Sequence, residues 1–241
     1  MTQARTFLTA SWVHLVMLNY PVEPSLLEEF VPPGTELDAF AGKTFVSMVG
    51  FQFLDTRVLG VPVPFHRNFD EVNLRFYVRR VASEGTRRGV VFVKEIVPRA
   101  AVAWLARRLY GERYVALPMA HQDEVGHVAE PRVAYGWQYR GRPNRLAVRV
   151  AGSPYLPADG SEESFITEHY WGYVRQRSGA TLEYQVEHPR WRVWRAAEAE
   201  LDCDVAGLYG GAFSPFLSVP PNSAFLAEGS AVTVRRGRLL V

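Results

Sequence analysis

Glu71-Val72-Asn73-Leu74-Arg75-Phe76-Tyr77-Val78-Arg79 is a run of nine residues in which apolar side chains occupy every second position. Alternation with a period of two is typical of a β-strand whose two faces meet different surroundings. The apolar face consists of Val72, Leu74, Phe76 and Val78. The other face presents Glu71, Asn73, Arg75, Tyr77 and Arg79. This segment predicts a strand with one face in a hydrophobic core and one face lined by polar groups.

The same kind of pattern recurs along the chain and predicts about ten strands. Further strands are predicted over Trp12–Tyr20, Thr44–Phe53, Gly89–Val97, Tyr114–His121, Ala134–Tyr139, Arg145–Val150, Ser164–Arg177, Thr181–His188 and Ala231–Val241. Helices are predicted over Pro98–Tyr110, in a short turn after Pro24, and near Val205–Phe216. We therefore predict one α+β domain over residues 1–241, mainly antiparallel, built as a β-barrel or sandwich with a few outer helices.

Composition excludes several classes of protein. The chain has 241 residues, 48% apolar, with a net charge of +2, which excludes intrinsic disorder. The 25 arginines are scattered beside acidic residues and form no basic stripe, so we expect no nucleic-acid partner. The longest apolar run, Ala100 to Ala106, is far shorter than the ~20 residues needed to span a bilayer. We expect a cytoplasmic protein without a membrane partner. The sequence leaves open whether the protein forms a homo-oligomer.

Common catalytic and metal-binding motifs are absent from the sequence. Cys203 is the single cysteine, which rules out an intrachain disulfide and a cysteine-based zinc site. His121 and His127 flank two acidic residues, but their spacing fits neither one helix face nor one strand face, and a turn is the favoured interpretation. No phosphate-binding loop, dinucleotide fingerprint, nucleophile elbow or zinc-protease motif occurs. We predict no metal and no cofactor.

Two polar rows could carry chemistry. The first is Glu71, Asn73, Arg75 and Tyr77, which would be surface decoration on an outer face or a ligand-binding wall inside a barrel. In the second case Arg75 suits bidentate pairing with a carboxylate. The second row places His169, Trp171 and Tyr173 on one face of a strand, as part of a pocket or as ordinary core. We predict that Glu71, Asn73 and Arg75 share an enclosed pocket with His169 or Trp171.

Lys94 lies in the apolar strand Val90–Val97, where it shares a face with Val90, Phe92 and Ile96 by strict alternation. Burial lowers a lysine pKa and can free an amine nucleophile. The alternative is a structural lysine at the strand end or one paired with a carboxylate such as Glu71. The second lysine, Lys43, follows Gly42 in a predicted turn. Glu71 and Lys94 are therefore the candidate catalytic residues.

Six strings in the sequence resemble the DUF2071, or YqjF-like, family, and the resemblance extends over essentially the whole chain. They are Phe7-Leu8-Thr9-Ala10-Ser11-Trp12, Leu18-Asn19-Tyr20, Val31-Pro32-Pro33-Gly34-Thr35-Glu36-Leu37-Asp38, Glu71-Val72-Asn73-Leu74-Arg75, Glu168-His169-Tyr170-Trp171-Gly172 and Ala224-Phe225-Leu226-Ala227-Glu228-Gly229-Ser230. The resemblance implies a fold similar to acetoacetate decarboxylase, a β-barrel-like domain with a central cavity. It also implies that Glu71 is the acidic residue on the cavity strand.

The resemblance does not extend to the decarboxylase's lysine pair. The matching segment is Tyr110-Gly111-Glu112-Arg113-Tyr114-Val115, and the paired positions fall near Tyr114 and Val115. Because neither is lysine, we do not expect decarboxylation by that Schiff-base mechanism. Two hypotheses remain. The protein is an enzyme of lyase, aldolase or dehydratase type acting on a small oxo acid or related carboxylate, with Asn73, Tyr77, His169 and Trp171 contacting it, or a non-catalytic barrel that binds a small ligand.

Overall fold

A computed structural model describes residues 4–62, 66–100 and 113–240 of the protein. Strands dominate it. In chain order they are β1 (Thr6–Val22), β2 (Glu36–Leu37), β3 (Thr44–Val58), β4 (Val61–Pro62), β5 (Phe69–Ala82), β6 (Gly85–Val97), β7 (Tyr114–Ala116), β8 (Met119–Asp123), β9 (Arg132–Tyr139), β10 (Arg142–Val150), β11 (Trp171–Arg175), β12 (Thr181–Glu187), β13 (Val193–Asp202), β14 (Ser223–Arg235) and β15 (Arg238–Leu239). The described helices are short: α1 (Glu162–Thr167), α2 (Val205–Tyr209), α3 (Ser214–Leu217), and 3₁₀ turns at Pro24–Leu26, Glu28–Phe30 and Gly211–Phe213.

The fifteen strands form one sheet, whose main path runs in the order β15-β12-β11-β6-β5-β3-β1-β14-β13-β10-β9-β8. Off this path, β2 pairs with β5, β4 with β3 and β7 with β6. Most neighbours are antiparallel, whereas β11 and β7 each pair with β6 in parallel. A further pairing joins β12 to β14, with Val186 opposite Val234 and Glu187 opposite Thr233. Seven strands, β12, β11, β6, β5, β3, β1 and β14, are therefore linked in a closed circuit of hydrogen-bonded neighbours.

Both faces of β5 are buried, and each belongs to a different hydrophobic cluster. Val72, Leu74, Phe76 and Val78 are 0% exposed and belong to the larger cluster, on what we call the Leu74 face. The opposite face, called the Glu71 face, carries Glu71, Asn73, Arg75 and Tyr77. Apolar side chains of the second cluster surround this polar row; they include Met17, Phe45, Val49, Phe165, Ile166 and Phe225. The polar row is thus built into the interior of the protein.

The prediction of a mainly antiparallel β fold with few helices is confirmed, whereas several element boundaries were wrong. The predicted strand Ser164–Arg177 begins as helix α1 instead. Ser161 caps that helix by accepting a hydrogen bond from the Ser164 amide at 3.1 Å, and Glu162 and Glu163 occupy its first turn. Strand β13 was missed, and the predicted strand Tyr114–His121 is divided into β7 and β8. The predicted helix Pro98–Tyr110 lies, from position 101 onward, outside the described residues.

Within the described ranges, no helix combines the length and the apolar character that crossing a bilayer would require.

Candidate functional site

The Glu71 face of β5 presents four polar side chains in a row, each almost removed from solvent. Glu71 is 2% exposed, Asn73 1%, Arg75 9% and Tyr77 1%. Strands β3 and β6 flank β5, so that Val49 and Glu95 lie on either side of Asn73. The alternation of the sequence puts the four residues on one face, and the closed circuit of strands buries that face.

Glu71 is held by two donors. The Asn73 amide donates to Glu71 Oε1 at 2.9 Å, and the Tyr114 hydroxyl donates to Oε2 at 3.2 Å. Burial disfavours the charged carboxylate and raises the pKa of Glu71 to about 7, although these two hydrogen bonds and the Arg75 charge oppose the shift. A carboxyl group that titrates near neutral pH can both give and take a proton under physiological conditions.

Arg75 is a buried guanidinium without a carboxylate partner among the described residues. Its Nη2 atom lies 3.4 Å from the Ile166 carbonyl oxygen and 4.0 Å from the Met17 sulfur, and its buried Nε has no acceptor in the described part of the chain. The arginines that follow on β5 differ. Arg79 pairs with Glu36 at 2.8 Å and Arg80 with Glu183 at 3.4 Å. Among the described residues, the Arg75 guanidinium therefore has one carbonyl acceptor and one sulfur contact, both at Nη2, and an unpaired Nε.

Tyr77 joins the polar row to His169. The two ring centroids are 4.6 Å apart. The ring centroid of Phe165, in helix α1, lies 5.2 Å from that of Tyr77 and 5.1 Å from that of His169. The Tyr77 hydroxyl lies 2.6 Å from Ser47 Oγ, which donates to Asn19 Oδ1 at 2.6 Å. The Arg75 guanidinium carbon is 5.7 Å from the Tyr77 ring centroid. Arg75 and His169 are thus both neighbours of one phenol ring.

Asp38 fixes the state of His169. Arg88 Nε donates to Asp38 Oδ2 at 2.7 Å, and His169 Nε2 lies 3.4 Å from the same oxygen. Burial alone would raise the pKa of Asp38, but the hydrogen bonds from His169 and Arg88 outweigh it and lower the value to about 2. Burial lowers the pKa of His169 to about 4. At neutral pH the pair is therefore an ionised aspartate beside a neutral imidazole.

Trp171 does not join this group, and the predicted shared face of His169, Trp171 and Tyr173 was wrong for His169, because Trp171 and Tyr173 both pack in the larger cluster. In the β11–β6 pairing, Trp171 lies opposite Gly89 and Gly172 opposite Val90, which puts Trp171 on the Leu74 face. There the Arg87 guanidinium carbon lies 4.0 Å from the Trp171 ring centroid. His169 precedes β11 and turns toward Tyr77 instead. The prediction assumed one regular strand through both residues, whereas the chain is irregular between α1 and β11. Of the residues in the second polar row, only His169 contacts the first row, through the ring of Tyr77.

Lys94 also lies on the Leu74 face, opposite to Glu71. A register shift in β6 pairs Lys94 with Leu74 but Phe92 with Arg75. The resulting bulge at Val93 puts Phe92 and Val90 on the Glu71 face, so that the predicted shared face of Lys94, Val90 and Phe92 was wrong. The Lys94 ammonium donates to the Leu208 carbonyl and lies 5.8 Å from the Tyr209 ring centroid. Burial, followed by the Arg113 charge, lowers its pKa.

Sequence reasoning missed several residues around the polar row. Tyr114 contacts Glu71 near the position where the resemblance places the decarboxylase lysine pair, and this match was the signal that could have identified it. Asp38 and Arg88 come from distant segments, and no local pattern links them to His169. Glu95 is 2% exposed and pairs in register with Asn73. Its position one residue from Lys94, on the other face, follows from strand alternation.

Solved structures with this fold are acetoacetate decarboxylase-like proteins. The enduracididine biosynthesis enzyme MppR, complexed with pyruvate, is 14% identical with a TM-score of 0.68, over 100% of this chain and 92% of that chain. Acetoacetate decarboxylase from Legionella pneumophila subsp. pneumophila str. Philadelphia 1 is 12% identical with a TM-score of 0.66, over 100% of this chain and 90% of that chain. At such low identity these likenesses establish the fold alone.

Sequence comparison identifies the family. The uncharacterized protein YqjF of Bacillus subtilis (strain 168) is 27% identical over 195 residues, which is 79% of this chain and 76% of that protein. The DUF2071 family model, described as an uncharacterized conserved protein, matches residues 9–231. The match includes the whole polar row and at least part of every strand of the closed circuit, and the chain therefore belongs to the DUF2071 family.

Proposed function

We propose that the protein binds a small carboxylate-bearing metabolite, such as an oxo acid, through Arg75 and transfers a proton to or from it through Glu71. The observation that carries this proposal is the Arg75 guanidinium, which belongs to a residue 9% exposed and has no ion-pair partner in the described ranges. A buried charge without a counter-ion is unfavourable, and a ligand carboxylate would neutralise it with two parallel hydrogen bonds.

Glu71 is the group best suited to move a proton. It lies two positions from Asn73 and four from Arg75 on the same strand face, and its raised pKa suits general acid–base chemistry near neutral pH. As a base, the carboxylate takes a proton from the carbon beside the ligand's carbonyl group, and the electron pair of that C–H bond stays on the ligand. The carboxylic acid then returns a proton to the same carbon.

Amine catalysis is not part of this proposal. Lys43 and Lys94 are the two lysines of the sequence; Lys43 is exposed and Lys94 is on the Leu74 face. The structurally similar MppR is complexed with pyruvate, which supports a small oxo acid as a probe. The absence of a lysine from the polar row favours one alternative, a binding protein that holds its ligand without converting it.

Calorimetric titration with pyruvate, acetoacetate and propanoate tests the carboxylate site. We expect binding to the natural protein and a loss of at least about tenfold in affinity in Arg75→Met, because a hydrogen-bonded charge pair is lost. Arg79→Met is the matched control, since Arg79 lies on the same strand but is exposed and paired with Glu36. Equal affinity in Arg75→Met and Arg79→Met would show that Arg75 does not hold the carboxylate.

Proton transfer is tested by exchange of deuterium from heavy water into the carbon beside the carbonyl of pyruvate and 2-oxobutanoate, followed by proton NMR. We expect exchange above the protein-free rate, rising with pH through about 7 as Glu71 ionises, and reduced about 10²-fold or more in Glu71→Gln. Glu36→Gln, on the surface, is the control. Binding without exchange would contradict the catalytic proposal and establish the binding alternative.

A further inference from the structure

We propose that the ligand carries a hydroxyl group in addition to its carboxylate, and that His169 Nδ1 accepts the hydrogen of that hydroxyl. This inference rests on the proposed function, because it assigns the class of ligand to the same site. The inference is based on three neighbouring groups. The Arg75 guanidinium is a free donor, and Asn73 Oδ1 and His169 Nδ1 are buried acceptors that receive no hydrogen bond from any described residue.

The hydrogen-bonding state of His169 follows from its neighbour. The Asp38 carboxylate already accepts from Arg88 Nε at 2.7 Å and has no hydrogen to give. His169 Nε2 is 3.4 Å from the same oxygen, so Nε2 carries the hydrogen of the neutral ring and points it at Asp38. Nδ1 then carries a lone pair. It is buried, and across residues 4–62, 66–100 and 113–240 it meets no donor.

Asn73 supplies the second acceptor. Its Nδ2 atom donates to Glu71 Oε1 at 2.9 Å, which orients the amide and leaves Oδ1 facing away from that carboxyl group. Oδ1 is buried and receives no hydrogen bond from the part of the chain that is described. Buried acceptors normally receive a hydrogen bond. Two buried acceptors that receive none, beside a free guanidinium, therefore indicate a ligand that donates hydrogen bonds as well as accepting them.

The chemical class of ligand narrows accordingly to a small hydroxylated carboxylic acid, including the enol form of an oxo acid. A carbonyl oxygen opposite Nδ1 would bring two lone pairs together, and a methylene group would leave Nδ1 without a donor. Both changes penalise binding, because a site built to pair with a hydroxyl discriminates against the analogue that lacks it. Arg75 and His169 are each within about 6 Å of the Tyr77 ring centroid, which suits a ligand of three or four carbons.

Matched acids test the inference on the full chain. The panel contains lactate, 2-hydroxybutanoate and 3-hydroxybutanoate, their deoxy parents propanoate and butanoate, and the oxo acids pyruvate and acetoacetate, all titrated by calorimetry. We expect at least one hydroxy acid to bind about tenfold or more tightly than its deoxy and oxo counterparts. His169→Phe keeps an aromatic ring against Tyr77 and Phe165, and should remove this preference by lowering the affinity for the hydroxy acid. His127→Phe, on an exposed turn, should retain the preference.

A second measurement needs no variant. Nitrogen NMR of imidazole-labelled natural protein should show His169 with a protonated Nε2 and a bare Nδ1, and the Nδ1 resonance should move on addition of the preferred hydroxy acid but not of propanoate. A protonated Nδ1 in the free protein would overturn the inference. If all acids bind equally and Arg75→Met abolishes binding, the inference fails and the carboxylate site stands. If no acid binds, the proposed function fails and the inference with it.

Discussion

At the scale of single residues, the site contains an acid whose charge is poorly solvated. Glu71 is 2% exposed, and its hydrogen bonds from Asn73 and Tyr114 only partly compensate for the lost water. Arg75 and Arg79 show how strongly the surroundings of an arginine determine its burial and its ion pairing. They belong to the same predicted strand face, yet one is exposed and paired and the other is buried without a carboxylate partner among the described residues.

The raised pKa of Glu71 predicts how stability depends on pH. The folded value is about 7 and the ordinary value is 4.5, so between these pH values the folded protein keeps a proton that the unfolded chain has released. Stability contributed by the neutral acid is complete below about pH 4.5 and falls as the pH rises to about 7. Glu71→Gln should therefore stabilise the protein relative to the natural chain by up to about 3 kcal/mol at pH 8, and much less at pH 4.5.

Denaturant unfolding of the two proteins at pH 4.5, 6, 7 and 8 checks this prediction. Glu36→Gln, an exposed control, should show a difference in stability that hardly changes with pH. A constant difference for Glu71→Gln across the range would mean that the pKa of Glu71 is not raised.

At the scale of elements, two irregularities in strands determine which side chains face the site. The bulge at Val93 in β6 turns Lys94 to the Leu74 face and Phe92 to the Glu71 face. In β1 the pairing with β3 shifts register between Val13 and Val16, where His14 adopts a φ of 50°. Opposite this point, β14 contributes Gly229 at a φ of 81°, paired with Val13. Both bulges re-aim side chains that strict alternation would place on the other face.

Gly229 is predicted to tolerate no side chain. A Cβ atom there would overlap the Trp12 carbonyl oxygen, a backbone atom that cannot move aside without disrupting the β1–β14 pairing. We expect Gly229→Ala to lower the free energy of unfolding by more than about 3 kcal/mol. Gly34→Ala is the matched control, because Gly34 has a φ of 80° but nothing within 4 Å of the place that a methyl group would occupy; it should cost about 1 kcal/mol. Equal unfolding midpoints for the two variants would contradict the steric argument.

At the scale of the whole molecule, a short pairing between β12 and β14 completes the circuit of strands. It has two residue pairs, and Arg235 reinforces it by bidentate pairing with Glu187 at 3.0 and 2.6 Å. The site depends on this closure indirectly. The Glu71 face of β5 is buried because strands from both ends of the chain, together with α1, surround it.

Removing the Arg235 guanidinium should loosen the closure locally. Arg235→Met is expected to cost about 1 kcal/mol, since the pair is partly exposed, and to increase amide hydrogen exchange in β12 and the end of β14 while β3 and β5 keep their protection. Arg79→Met should leave exchange in β12 unchanged. Uniform loss of protection across the sheet would indicate that the circuit opens cooperatively and not at this pairing.

The sequence by itself determined the class of fold and the polar row. Alternation over Glu71–Arg79 is a local property, because a period of two fixes which side chains share a strand face whatever the strand packs against. The resemblance supplied the family and the acetoacetate decarboxylase-like architecture, and both are established by comparison. Only the tertiary structure decided that the polar face is buried like the apolar one, that His169 and not Trp171 contacts it, and that Lys94 lies on the opposite face. Those outcomes depend on bulges, on an irregular segment and on contacts such as Asp38 with His169 across 131 positions, and no local period encodes them.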